Sequence, residues 1–407
     1  MLKISEKGAR SAEDSITPVS KEGRPIKSVF FPNLDGLRFF AFFIVYLQHG
    51  FNIAVADSQD RGFLRLRLES AIFNSGWAGV SFFFVLSGFL ITYLILTEIK
   101  VKGRLSITGF YIRRALRIWP LYYLVLFFGF VGYPLVKQYF GFSTYIEAGN
   151  PLYYLLFLSN FEVIKLGDGH GALSTNITWS VAVEEQFYLV WPLLFFFAPP
   201  KFYKYLFLII ILMSACFRYY YHGDIMVNYY HSLSVISDMA VGGLAAYLSL
   251  NFKRFREVCA RMPRWLICAI YALGLLVVIF RKDIFIGSAL GTFERLVISL
   301  FFVFIVLEQN YCEHSLLKMS KLKLISRLGI YTYGLYLLHP VAITIIVSIL
   351  KVFPDDNPTA SSTLLVGVGG LLLSTAMSVI SYHLIEKRFL NLKRRFTYVP
   401  SAQTSGQ

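Results

Sequence analysis

Two ionisable residues lie in the apolar run LDGLRFFAFFIVYLQHG, Leu34 to Gly50: Arg38 near its start and His49 near its end. A neutral imidazole can take a proton from a hydroxyl or carry a group covalently. A guanidinium grips a phosphate or carboxylate with a two-pronged fork. At about 100° per residue the two positions fall within about 20° of one helix face, separated by a rise of about 16 Å. Singly, Arg38 reads as an anchor reaching for the lipid boundary and His49 as a hydrogen bond between helices. Ionisable groups at membrane depth are costly and usually face a cavity or pathway, which favours a functional role for the shared face.

Three further runs carry polar groups of the same kind. In NITWSVAVEEQFYLVWP, Asn176 to Pro192, Glu184 and Glu185 fall about 10 Å into a helix by helical rise. Two adjacent carboxyls point about 100° apart and so serve different partners. One can orient a histidine; the other can contact substrate hydroxyls or cap a neighbouring helix. The sequence does not say which does which. Asn176, Ser180 and Tyr336 are candidates to hold an acceptor molecule.

In YTYGLYLLHP, Tyr331 to Pro340, His339 follows Tyr336 by one helical turn and directly precedes a proline. Polar adhesion at a proline kink and a part in catalysis are equally good readings there. In FYIRRALRIWPLYY, Arg113 and Arg117 are spaced i,i+4, and Arg114 and Arg117 i,i+3. They form either a positive anchor at the membrane boundary or a fork for the phosphates of an anionic cofactor such as a nucleotide thioester. Glu386, in SYHLIEKRFL, is placed to pair with Arg38 or one of Arg113, Arg114 and Arg117.

The elements that position these residues follow from composition. Of 407 residues, 56% are hydrophobic and 15% are charged, with a mean hydropathy of +0.58. A soluble domain usually carries about 25% charge. Apolar runs of about 20 residues recur along the chain, so the fold class is all-α integral membrane. Ten spans are predicted, at 36–56, 76–97, 116–136, 178–198, 204–221, 231–250, 264–281, 290–308, 328–350 and 362–386. The run at 151–161 is too short to cross a core of ~30 Å and reads as re-entrant or interfacial. The expected division is an N-terminal cytosolic tail at 1–31, a membrane domain at 32–390 and a C-terminal cytosolic tail at 391–407.

Basic residues orient the spans. Placing both termini in the cytoplasm puts Lys100, Lys102, Arg104, Arg113, Arg114, Arg117, Lys253, Arg254, Arg256 and the basic cluster 387–395 inside. The outer loops then hold only Arg61, Arg65, Arg67, Lys137, Lys165, Arg281, Lys282 and Lys351. Counting 151–161 as a full span destroys this asymmetry. The net charge of +15 therefore reads as membrane orientation, and no nucleic-acid-binding motif accompanies it. Residues 1–28 lack the apolar core of a signal peptide. Cys216, Cys259, Cys268 and Cys312 form no short-spaced pair, so neither a disulfide framework nor a structural zinc site is expected.

Taken in order, these blocks resemble the membrane-bound acyltransferase 3 family, over about 32–390. The arginine and histidine of the first run, FFFVLSGFLIT at Ser87 and Gly88, RALR at Arg114 and Arg117, TWSVAVEEQFYLVWP and YGLYLLHP carry the resemblance. Arg388 stands where the last block often has proline. The family includes O-acetyltransferases of lipopolysaccharide, exopolysaccharide and peptidoglycan in the bacterial cell envelope.

The resemblance implies a multi-pass protein of the inner (cytoplasmic) membrane. Its co-substrate is acyl-CoA, most often acetyl-CoA, with no resident cofactor and no metal. Its acceptor is a hydroxyl on a glycan or glycoside, free or lipid-linked. On this reading Arg114 and Arg117, with Arg113 and Arg38, bind the phosphates of the donor. His49 is general base or acyl carrier, and Glu184 or Glu185 supports it. Asn176, Ser180, Tyr336 and His339 meet the acceptor. Some family members carry a fused hydrolase-like domain; none follows here before residue 407, which implies transfer to the final acceptor or to a separate partner. The alternatives are a transporter, in which the polar layer is a substrate path, and a relay passing acyl groups to another protein.

Overall fold

A computed structural model describes residues 31–51, 69, 71–139, 149–167, 175–286, 289–350 and 359–396. The described residues are helical and contain no strand. Helices α1 (Leu34–Phe51), α2 (Gly76–Lys102) and α3 (Ile107–Phe127) open the chain. Two short helices, α4 (Pro151–Leu155) and α5 (Ser159–Leu166), replace the short run predicted not to cross. Then come α6 (Thr178–Phe197), α7 (Tyr203–Tyr220), α8 (Ser232–Asn251), α9 (Arg264–Ile279) and α10 (Glu294–Tyr311). The series closes with α11 (Lys323–Ile330), α12 (Thr332–Leu350), α13 (Ala360–Ser381) and α14 (Lys387–Arg394).

A helix occupies the described part of each of the ten predicted spans. Among the described residues, eight helices are long and apolar enough to cross a membrane. A ninth arises if Lys253–Ala260 and α9, bent by 89°, count as one span. The remaining predicted span is α1, which is not among them: Asp35, Arg38, Gln48 and His49 dilute its apolar face. Large apolar side chains such as Phe197, Leu212, Leu273 and Leu372 lie exposed along these helices, as a lipid-facing surface requires. The tails expected at 1–31 and 391–407 fall largely outside the described residues; α14 runs on to Arg394.

Local chemistry sets several boundaries. Gly103, at φ 76°, takes the left-handed conformation that ends α2, and its N–H donates to Ile99 O. The Ser106 hydroxyl accepts from Gly109 N to start α3. Between α13 and α14 the backbone widens into a π turn at Tyr382–Glu386. Such turns insert a residue and re-aim the side chains beyond them.

The core is built on the α2–α8 contact. A Cβ on Gly88 would lie 2.0 Å from Met239 O, and one on Gly242 2.2 Å from Val85 O. Each helix therefore presents bare backbone to the other, the small-residue contact typical of membrane helices. A buried charge cluster sits beside it. Asp238 of α8 accepts from Ser81 of α2 at 2.6 Å and from Arg295 of α10 at 2.7 Å. Arg218 of α7 donates to Ser214, Ser237 and the carbonyls of Ser234 and Thr292. The sequence reading did not anticipate this cluster. On the other side α1 lies between α2 and the group α11, α12 and α13.

Candidate functional site

The histidine end of α1 meets α12. The rings of His49 and His339 lie 5.3 Å apart between centroids. His49 is exposed, whereas His339 is fully buried and flanked by Phe42 and Tyr46 at 5.7 and 5.9 Å. The local sequence explains the orientation of His339. Pro340 has no N–H, so the carbonyl of Tyr336, four residues back, lacks its helical donor. His339 Nδ1 lies 2.7 Å from that oxygen and 3.2 Å from Leu335 O. A carbonyl only accepts, so Nδ1 carries the proton and Nε2 is a bare acceptor. That Nε2 is buried and has no hydrogen-bond partner among the described residues.

Tyr336 joins α12 to α6: its hydroxyl lies 2.7 Å from Ser180 Oγ, and its ring 5.9 Å from that of His339. Asn176, just before α6, keeps a buried Oδ1 with no partner among the described residues. Four predicted residues, His49, His339, Tyr336 and Ser180, are thus brought together from α1, α12 and α6.

The two carboxylates diverge, as a 100° step between neighbours requires. Glu184 accepts from Ser87 of α2 at 2.5 Å, and Tyr188 donates to the same serine at 3.2 Å. Glu185 faces α3 and accepts from Trp119 Nε1 at 2.9 Å; its other oxygen is buried and has no partner among the described residues. Among the described residues neither carboxylate hydrogen-bonds His49. The pairing expected between a glutamate and that histidine is not seen; a second histidine stands there instead.

The arginine end is a separate cluster. Arg38 pairs with Asp35, one turn back, at 2.6 Å. Arg117 and Glu386 line one pocket with Tyr333, Tyr382, Ile330 and Leu390. Arg114 lies 5.9 Å from the ring centroids of Phe110 and Tyr188, and its buried Nε has no hydrogen-bond partner among the described residues. Its charge and that of Arg117 both act on Glu184. Arg113 points elsewhere. It binds buried Glu98 at 2.8 Å and donates to Phe396 O at 2.8 Å, which ties α2, α3 and the chain after α14 together.

A polar seam therefore runs through the apolar core, from Arg114 past Tyr188, Ser87 and Glu184 to Tyr336, Ser180, His339 and His49. Of its middle, the sequence reading named Glu184 as a site residue and Ser87 only through the family resemblance, and it passed over Tyr188. Tyr188 lies four residues after Glu184, on one helix face, and Asp35 lies three before Arg38; both spacings were readable. Ser87 had no such signal, because its partner is 97 positions away. Among the described residues no group of three or more His, Cys, Asp or Glu is placed to hold a metal ion.

The acyltransferase domain family matches residues 31–383. The chain is 30% identical over 173 residues to a peptidoglycan O-acetyltransferase of Listeria monocytogenes, across 40% of this chain and 24% of that protein. It is 24% identical over 394 residues to a Staphylococcus aureus protein named "Putative O-acetyltransferase", across 92% of this chain and 60% of that protein. The chain thus spans a quarter to three fifths of these relatives. No solved structure matches it.

Proposed function

The chain belongs to the acyltransferase 3 family, and from that premise we propose that it transfers an acyl group, most simply acetyl, from acyl-CoA to a hydroxyl of a carbohydrate acceptor. The observation that carries the reading is the placement of two kinds of chemistry on one helix. Arg38 opens α1 within an arginine cluster, and His49 closes it against His339.

The donor's phosphates bind at the arginine end, held by Arg114 and Arg117 with Arg38 beside them. Arg113 serves the fold of that end through Glu98. The thioester arm follows the polar seam toward the histidines. His49 takes the proton of the acceptor hydroxyl while its oxygen attacks the thioester carbonyl. The C–S bond then breaks, and the departing thiolate receives the proton from the His49 imidazolium. His339, fixed by the Tyr336 carbonyl with Nε2 as acceptor, orients the hydroxyl beside His49. Ser180 and Asn176 extend the acceptor side. Glu184, within reach of the arginine charges, belongs to the donor path.

The positive-inside pattern supports a cytosolic arginine end, cytoplasmic termini and an outward histidine end in the cytoplasmic membrane of the cell. The names of the relatives support a polysaccharide of the envelope as acceptor.

The test supplies purified protein with radiolabelled acetyl-CoA and an envelope glycan. Labelled glycan formed by wild type and lost in His49→Ala supports the reading. Label stably held on protein alone points to a relay, and no acetyl-CoA consumption with any glycan sinks acyl transfer.

A further inference from the structure

Two tyrosines that the transfer chemistry does not use stand beside its acceptor side. The short helix Ile225–Tyr230, between α7 and α8 in the chain, packs on α5 and α8. It ends in Tyr229 and Tyr230, whose rings meet at 4.6 Å between centroids and 71°. Both rings contact that of Trp179 in α6, at 5.3 and 4.9 Å. Trp179 is 6% exposed, whereas both tyrosines are half-buried. Trp179 directly precedes Ser180, the residue bonded to Tyr336. Tyr229 and Tyr230 are themselves close enough to Tyr336 to act on its hydroxyl.

The backbone of this pair is fixed by side-chain amides. Asn160 of α5 donates through Nδ2 to Tyr230 O and to Ser232 Oγ, each at 3.1 Å. Gln186 of α6 donates to Asn160 Oδ1 at 2.9 Å and to Phe157 O at 2.8 Å, and accepts from Ser232. Each amide nitrogen thus uses both of its hydrogens, and a fully satisfied buried network holds its members rigidly. Tyrosines that only anchor a helix at the lipid boundary stand outward, as Tyr219 and Tyr220 do at 71% and 77% exposure. Tyr229 and Tyr230 turn onto Trp179 instead. We infer that they form a stacking subsite for a sugar ring of the acceptor, beside Tyr336 and Ser180. This rests on the reading that the acceptor is a carbohydrate hydroxyl. The negative face of an aromatic ring attracts the C–H face of a pyranose and leaves the sugar's hydroxyls free at its rim. Two rings at 71° make a corner, which meets such a ring on one face and along one edge. Asn176, one turn before Trp179, offers its unpartnered Oδ1 to a rim hydroxyl.

The experiment compares Tyr229→Leu, Tyr230→Leu, Tyr229→Phe and Tyr230→Phe with His49→Ala in neutral detergent. Leucine keeps apolar bulk without the ring, and phenylalanine keeps the ring without the hydroxyl. Acetyl-CoA is the donor. The acceptors are a panel of pyranoses, from methyl glucoside to disaccharides released from peptidoglycan by muramidase, and glycerol, which has hydroxyls but no ring. Each leucine variant should raise the pyranose KM by about two- to tenfold, the worth of one aromatic contact. The acetyl-CoA KM and the rate with glycerol should stay at wild-type values. Both phenylalanine variants should behave like wild type on every acceptor.

Leucine variants with a wild-type pyranose KM, alongside an inactive His49→Ala, overturn the stacking subsite alone. An active His49→Ala, or a wild type that acetylates neither pyranose nor glycerol, overturns the reading beneath it. Transfer by wild type to glycerol but to no pyranose in the panel overturns the subsite and leaves acyl transfer standing. Equal losses on pyranose and glycerol, or a lowered melting temperature in both leucine variants, make the tyrosines packing residues and overturn the inference. Phenylalanine variants as damaged as the leucine ones assign the effect to the hydroxyls and overturn stacking.

Discussion

His49 and His339, 290 positions apart in the chain, bring their rings to 5.3 Å. The contact joins the C-terminal end of α1 to the proline-containing turn of α12. If both imidazoles handle the same proton and hydroxyl, their losses do not add. His49→Ala should lower kcat by roughly 10²–10⁴, the usual worth of general acid–base catalysis. His339→Gln should lower it less, because a glutamine can still present an acceptor. The double variant should be no worse than His49→Ala alone. A double variant whose loss equals the product of the two singles would show independent roles.

The paired arginines of the RALR block and their neighbour should separate cleanly by assay. Arg113 is bonded to Glu98, which is 4% exposed, so Arg113→Ala strands a buried carboxylate. Breaking such a pair costs about 3–5 kcal/mol. Arg113→Ala should therefore lose melting temperature in detergent. Arg114→Ala and Arg117→Ala should keep theirs and raise the donor KM instead. Equal destabilisation by all three would make the whole block an anchor.

The Ser87–Glu184 contact predicts a second donor-side phenotype. Ser87→Ala removes the hydroxyl that donates to Glu184 at 2.5 Å and accepts from Tyr188 at 3.2 Å. Hydrogen bonds to charged groups are worth about 1.5–3 kcal/mol. The variant should lose kcat/KM for the donor by about tenfold or more on that scale, with the acceptor KM unchanged. Trp119→Phe, which removes the donor to Glu185, tests the other carboxylate in the same assay. If Trp119→Phe is the more damaging variant, Glu185 is the functional glutamate.

Much of this was legible because membrane helices are written in long apolar runs, and the polar exceptions stand out against them. The placement of Arg38 and His49 at opposite ends of one helix followed from periodicity alone. What periodicity cannot supply is the partner. Glu184 sits at a depth compatible with His49, yet its direction is set by the rotation of α6, which turns it toward Ser87. The proline after His339 was read as a kink. Its consequence is chemical: the freed Tyr336 carbonyl fixes the imidazole tautomer. Arg113 and Arg114 are adjacent and identical in type, and only the position of Glu98 across the α2–α3 turn distinguishes them.

The α2–α8 contact supplies a prediction about the fold that carries its own control. Ala is a better helix former than Gly by about 1 kcal/mol, so an unconstrained helical glycine should tolerate alanine. At Gly369 of α13 the added Cβ would meet only Ile346 side-chain atoms, the nearest at 3.5 Å, an ordinary contact. At Gly88 it would lie 2.0 Å from Met239 O, a backbone atom that can move only if α8 moves. Parting α2 from α8 would strain Ser81–Asp238 on one side of the pair and Ser87–Glu184 on the seam. Gly88→Ala should therefore lose monodisperse protein and melting temperature in detergent, and activity with them, while Gly369→Ala behaves like wild type. Gly242→Ala, facing Val85 O at 2.2 Å, should share the phenotype of Gly88→Ala. Equal thermal stability of Gly88→Ala and Gly369→Ala would mean that the two helices do not meet backbone to backbone.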